Sequence, residues 1–239
     1  MPEPQSNSTL RYRQAVQLQN TQRLDEAENA YRALLVDVPT LWQAWYNLGL
    51  LYQHRAAFAE AENSYRKAIA LNGQLAEAHN NLGNVLRAQG RPADAVECFR
   101  RALSRNPALA QAAFNLGSVQ QALGRHDAAI VAFRQVVSRE PRFTLACDGL
   151  WRSQLAMGKS DDAAQTFLQW EKVALSSPEL VLAGLNSARA MADPGRESHY
   201  LALALDWPFE AATPAQISPI LALLQYFDVT QADLLRAYK

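Results

Sequence analysis

The chain has 239 residues, of which 49% are hydrophobic and 19% are charged, the balance of a folded soluble protein. Basic and acidic residues number 23 each, so no global field favours binding to nucleic acid or to an anionic membrane. Cys98 and Cys147 form no disulfide framework or metal-spacing motif. Because no secretory signal pattern or run of 18 apolar residues occurs either, we expect a cytoplasmic protein without membrane insertion.

An alanine followed four residues later by a large aromatic residue recurs every 34 residues. The alanines are Ala27, Ala61, Ala95, Ala129 and Ala163, and the aromatic residues are Tyr31, Tyr65, Phe99, Phe133 and Phe167. A fixed period of this length predicts an all-α solenoid, in which each unit buries its apolar face against the next unit.

The period divides the chain into five units after a flexible tail over residues 1–7. The units are 8–41, 42–75, 76–109, 110–143 and 144–177. In the third unit, apolar residues at helical spacing end near Gly90, and a second helical run ends at Pro107, which predicts a helical hairpin. We expect Ala95 to face Gly83, because small side chains at that position let the two helices approach closely.

The second unit and its neighbours resemble the tetratricopeptide repeat over residues 8 to about 175. The residues that carry this resemblance are Trp45, Leu48, Gly49, Tyr52, Ala61, Tyr65 and Ala68. It implies a right-handed superhelix of hairpins whose first helices line a concave groove. The chain departs from the family pattern at Arg11 and Gln14 in the first unit and at Trp151 in the fifth unit.

An asparagine stands two positions before each packing glycine of the first helices, at Asn47, Asn81 and Asn115. The predicted groove adds polar and aromatic residues of the same helices, namely Gln43, Tyr46, Gln53, Asn80, Asn84, Arg87, Gln111, Phe114, Ser118 and Gln121. Amides both donate and accept hydrogen bonds, so such a row can pair with the backbone of an extended peptide. In the alternative interpretation, these asparagines tie adjacent helices together by bonding local backbone groups.

The sequence lacks motifs for carboxylate capture, metal binding and catalysis. Tetratricopeptide domains that grip a C-terminal carboxylate use lysines and an arginine in this groove, whereas the corresponding phases here include Gln43, Glu77 and Asn80. The histidines are scattered without metal-ligand spacing, and no phosphate loop or nucleophile elbow occurs. The sequence therefore predicts a non-catalytic scaffold for a protein or peptide partner, with no cofactor or metal.

The 34-residue phase is lost after Ser176. Residues 178–206 are predicted to form a degenerate sixth hairpin that caps the array. Residues 207–239 are predicted to form further helices, and an apolar face over residues 217–227 suggests either a junction to another domain or a homodimer contact.

The asparagines Asn47, Asn81 and Asn115 carry a second, finer resemblance. With this row of asparagines, the array resembles the N-terminal arm of the bacterial SPINDLY-type O-linked N-acetylglucosamine transferases. This resemblance implies that the array presents protein substrates to a glycosyltransferase domain that lies outside the 239 residues.

Overall fold

The computed structural model describes residues 4–173 and Gly184. Within these residues all regular secondary structure is α-helical, which confirms the predicted all-α fold. The helices are α1 Pro4–Asn20, α2 Leu24–Asp37, α3 Trp42–His54, α4 Phe58–Leu71, α5 Ala76–Ala88, α6 Pro92–Arg105, α7 Ala110–Ala122, α8 His126–Arg139, α9 Thr144–Ala156 and α10 Ser160–Val173.

The helices belong to two compact units, residues 1–123 and residues 124–239, which are larger than the five repeat units of the sequence. From here on, the first and the second unit are these two compact units. In the first unit, each helix from α1 to α6 packs against the next one, which gives stacked helical hairpins. In the second unit, α8 packs against α9 and α9 against α10. Helix α1 begins at Pro4, inside the segment that we expected to be a tail. The predicted cap over 178–206 and the helices over 207–239 lie outside the described residues, apart from Gly184.

The recurring alanines and aromatic residues form the core that the period predicted. All five alanines and all five aromatic side chains are buried. Burial of one aromatic side chain per hairpin contributes about 2 to 3 kcal/mol of hydrophobic stabilisation. The 34-residue signal therefore marks the packing inside each hairpin.

Gly49 and Gly83 make room for those aromatic rings. A Cβ atom on Gly83 would lie 2.6 Å from the ring of Phe99, and one on Gly49 would lie 2.6 Å from the ring of Tyr65. The atoms nearest to each glycine thus belong to the aromatic residue of the second helix. For Gly83, the sequence analysis predicted Ala95 as the facing residue. In the fifth hairpin Trp151 takes the glycine position and is buried, while Gly149 lies against the ring of Phe133.

The turn inside each hairpin contains one residue in the left-handed conformation. Gly90, Gly124 and Gly158 have φ values of 75°, 71° and 69°, and Gln22 and Ala56 adopt φ values of 61° and 56° without being glycine. After Gln22, Ala56, Gly90 and Gly158 the chain bonds back to the helix. At Ala56, for example, the following Ala57 amide donates to the Tyr52 carbonyl at 2.8 Å. This pattern is a Schellman motif, which ends the first helix and starts the second.

Candidate functional site: the amide face of α3, α5 and α7

The predicted groove residues lie on three consecutive first helices of the hairpins, and we call this set the amide face. Its members are Gln43, Tyr46, Asn47 and Gln53 on α3, Asn80, Asn81, Asn84 and Arg87 on α5, and Gln111, Phe114, Asn115, Ser118 and Gln121 on α7. All of them belong to the first compact unit. Hydrogen bonds between their side chains join α3 to α5 and α5 to α7.

Each of the three recurring asparagines bonds to the preceding hairpin. The bonds run from Asn47 Nδ2 to Tyr12 Oη (3.1 Å), from Asn81 Nδ2 to Tyr46 Oη (3.2 Å) and from Asn115 Nδ2 to Asn80 Oδ1 (2.9 Å). Every one of these bonds spans 35 residues. These contacts tie adjacent helices together, as the alternative interpretation expects, but their acceptors are side chains of the preceding hairpin and not local backbone groups.

Buried tyrosines extend this network in the first two hairpins. Asn47 Nδ2 also donates to Tyr31 Oη at 3.0 Å, and the Tyr31 hydroxyl donates to Gln19 Oε1 at 2.9 Å. The Tyr65 hydroxyl donates in the same way to Gln53 Oε1 at 2.8 Å. Burial raises the pKa of Tyr31 to about 12 and raises the pKa of Tyr65 as well, because a buried phenolate loses its hydration.

Between α5 and α7 the network consists of hydrogen bonds between amide side chains. Asn80 and Asn115 are buried, with 6% and 3% of their surface exposed. Asn80 Nδ2 donates to Asn81 Oδ1 at 3.3 Å, and Gln111 Nε2 donates to Asn115 Oδ1 at 3.1 Å. The amides of Asn80 and Asn115 are therefore engaged inside the protein, whereas the sequence had placed them on an accessible surface.

A smaller set of polar groups remains available on the amide face. In the described part of the chain, the side chains of Gln43 and the exposed Arg87 make no hydrogen bond or ion pair, and Asn84 Oδ1 is a buried acceptor without a donor. Tyr46 and Phe114, both half-buried, lie on the neighbouring helices of the same face. The free hydrogen-bonding capacity of the face is thus concentrated on α3 and α5.

Among the described residues, no group of three histidine, cysteine, aspartate or glutamate side chains is placed to hold a metal ion. His79 is buried and hydrogen-bonds to the Gly73 backbone, and burial lowers the pKa of its imidazole. No helix within this part of the chain is both long and apolar enough to span a membrane.

The interpretations that rest on the C-terminal residues stay predictions. Both the glycosyltransferase junction and the homodimer contact depend on residues 207–239, which the structure does not describe.

Comparison with known proteins agrees with this architecture. A sequence model described as tetratricopeptide repeat matches residues 40–105 and 74–139. No curated protein sequence matches the chain. Among solved structures, the MamA protein is 25% identical, with a TM-score of 0.65 over 70% of this chain and 91% of that chain.

Two further solved structures cover more of the chain. PilW, described as a widely conserved type IV pilus biogenesis factor, is 22% identical, with a TM-score of 0.68 over 90% of this chain and 98% of its own. YrrB, described as a TPR protein with an unusual peptide-binding site, is 17% identical, with a TM-score of 0.66 over 82% and 98%. Residues 40–139 of the chain therefore match the tetratricopeptide repeat, and the likeness to the solved structures is a likeness of fold.

Proposed function

We propose that the chain is a non-catalytic scaffold that binds an extended segment of a partner protein on the amide face. The observation that carries this proposal is the set of unpaired polar groups on Gln43, Asn84 and Arg87, which lie on α3 and α5.

The chemistry of these groups favours peptide backbone as the ligand. The side-chain amides of Gln43 and Asn84 offer donors and acceptors that match the N–H and C=O groups of an extended segment. Arg87 adds a cation that can hold a carbonyl or a carboxylate of the partner. Tyr46 and Phe114 supply aromatic surface for its side chains.

The internal asparagine bonds support binding indirectly. They join α3 to α5 and α5 to α7 through Tyr46, Asn80 and their partners. Because these bonds fix the spacing of the three helices, a bound segment does not have to order them. Preorganisation of this kind lowers the entropic cost of association.

Selection from a phage-displayed library of random peptides, followed by binding assays with the selected synthetic peptides, tests this proposal. We expect Asn84→Ala and Arg87→Ala each to weaken binding by about tenfold, the effect of losing one interaction of roughly 1.4 kcal/mol. Asn29→Ala on α2 and Arg100→Ala on α6 are matched controls, since both side chains are exposed on second helices. The proposal fails if the selected peptides bind the α5 variants as tightly as the controls.

A further inference from the structure

Two opposite charges lie at the two ends of helix α5. Glu77 is in its first turn and Arg87 is in its last turn, and both side chains are exposed. Asn80 and Asn84 lie between them, so that the four residues are separated by three, four and three positions. Side chains at this spacing lie on one side of a helix. Glu77 and Arg87 therefore flank the part of the amide face that α5 contributes.

The surroundings of Tyr46 on α3 place the Glu77 carboxylate beside the amide face. Tyr46 Oη accepts a hydrogen bond from Asn81 Nδ2 at 3.2 Å, and Asn81 follows Glu77 by about one helical turn. Burial raises the pKa of the Tyr46 hydroxyl, and the negative charge of Glu77 raises it further. Because the interaction of a charge with a hydroxyl weakens with distance, the Glu77 carboxylate lies near Tyr46, next to the amide face.

Neither of these two charges is neutralised within the part of the chain that the structure describes. The side chains of Glu77 and Arg87 make no ion pair there, whereas Glu62 on the second helix α4 is held by Arg66 and Arg91. Glu77 and Arg87 are about 15 Å apart along the helix axis, which exceeds the Debye length of about 8 Å at physiological ionic strength. Each charge is therefore able to attract a ligand group of its own.

The repeat itself does not require these charges. At the two equivalent positions, the neighbouring helices α3 and α7 carry glutamines, namely Gln43, Gln53, Gln111 and Gln121. Those helices form without the favourable interaction between charged end residues and the helix dipole. Of the three helices that form the amide face, α5 alone carries a pair of opposite charges at these positions.

The distance between the two charges restricts the spacing of their counterparts in a ligand. An extended chain advances about 3.3 Å per residue, and its side chains alternate between opposite sides. Two ligand side chains that both face α5 are therefore an even number of residues apart. Four residues cover about 13 Å and six cover about 20 Å, so a separation of four residues best matches the distance of about 15 Å between Glu77 and Arg87.

We propose that the amide face selects an extended partner segment with a basic side chain opposite Glu77 and an acidic side chain, four residues away, opposite Arg87. This inference rests on the proposed function, because it specifies the segment that the amide face binds. The basic side chain forms an ion pair with the Glu77 carboxylate. The acidic side chain binds the Arg87 guanidinium, which can donate to both oxygens of a carboxylate. The segment then runs along α5, with Asn84 between the two ion pairs.

Selection of random phage-displayed nonapeptides against the full chain and two charge-reversed variants tests the proposal. Against the parent chain we expect enrichment of peptides with opposite charges four residues apart. Against Glu77→Lys the enriched peptides should carry two acidic residues at that spacing, and against Arg87→Glu they should carry two basic residues. The controls Glu60→Lys on α4 and Arg100→Glu on α6 change the net charge equally at exposed positions of second helices, and they should select the same peptides as the parent chain.

Binding assays with synthetic versions of the selected peptides separate this inference from the proposed function. We expect a peptide selected on the parent chain to bind Glu77→Lys about fivefold more weakly, because the attraction of an exposed ion pair becomes a repulsion. Replacement of its basic residue by glutamate should restore the affinity for that variant. Selected peptides that lose affinity for Asn84→Ala but show no charge pattern would overturn this inference and leave the proposed function standing. If no selected peptide depends on Asn84, both fail.

Discussion

Asn115 on α7 donates its Nδ2 proton to Oδ1 of Asn80 on α5 across 2.9 Å, and both side chains are buried. The bond joins two consecutive hairpins in the first compact unit. A ligand that took the Asn115 donor would leave the Asn80 acceptor buried without a partner, which is unfavourable. Asn115 is therefore a stacking residue, and in the proposed function the contacts to the ligand come from Gln43, Asn84 and Arg87 instead.

We expect Asn115→Ala to lower the free energy of unfolding by about 1 to 3 kcal/mol, because it leaves Asn80 Oδ1 and Gln111 Nε2 without their partner. Urea denaturation monitored by circular dichroism measures the change. Asn29→Ala, at an exposed position of α2, is the control and should change stability by at most about 0.5 kcal/mol. Equal stability of the two variants would show that the Asn115 bond contributes nothing to stacking.

Gly83→Ala should destabilise the protein by about 1 to 3 kcal/mol, the typical effect of overpacking a core. The added methyl group would lie 2.6 Å from the buried ring of Phe99, so one of the two must move. Gly73→Ala is the matched control, because its nearest atom is 3.7 Å away. Thermal melting of both variants tests this steric account, which a melting temperature for Gly83→Ala at or above that of Gly73→Ala would contradict.

Ala56→Gly should stabilise the protein by up to about 1 kcal/mol, because an alanine with a φ of 56° has a steric strain that glycine lacks. The reciprocal change, Gly90→Ala, should destabilise by a similar amount. No atom lies within 4 Å of a Cβ atom at Gly90, so its effect reports the backbone conformation alone. Chemical denaturation of both variants should give shifts of opposite sign, and shifts of the same sign would refute the backbone explanation.

Stability should fall as the pH rises through the alkaline range. Burial raises the pKa of Tyr31 to about 12 in the folded protein, whereas a tyrosine in the unfolded chain has a pKa of about 10. The folded state thus keeps a proton that the unfolded state has lost. This contribution to stability is fully present below about pH 10 and is lost as the pH rises towards 12.

Urea denaturation at about pH 8 and about pH 11, with tyrosinate absorbance as a second readout, measures this loss. Burial raises the pKa values of Tyr46 and Tyr65 too, so they add to the effect. Tyr31→Phe has no phenol to ionise at this position and should show a shallower decline. A decline of unchanged slope in that variant would mean that other groups cause the alkaline unfolding.

The sequence predicts the hairpins well because their determinants are periodic and local. Ala95 and Phe99 recur at fixed phase as core residues, and Gly90 takes the left-handed conformation that its place between two helices requires. Gln22 and Ala56 adopt the same conformation, although neither residue type signals it. At these turns the stacked hairpins impose a conformation that local propensity does not favour.

The polar contacts are harder to predict because their partners change from one repeat to the next. The sequence shows that Asn47, Asn81 and Asn115 recur at one position of the repeat. The residue that accepts their hydrogen bond from the preceding hairpin is a tyrosine in two cases and an asparagine in the third.

Tyr46 and Asn47 are neighbours in the chain, yet they face opposite directions along the array. Tyr46 accepts a hydrogen bond from the following repeat through Asn81, and Asn47 donates one to the preceding repeat through Tyr12. Every copied repeat of this type would therefore bring a donor for one end and an acceptor for the other. Tandem duplication of the coding segment can thus lengthen such an array without a compensating mutation at the new junction.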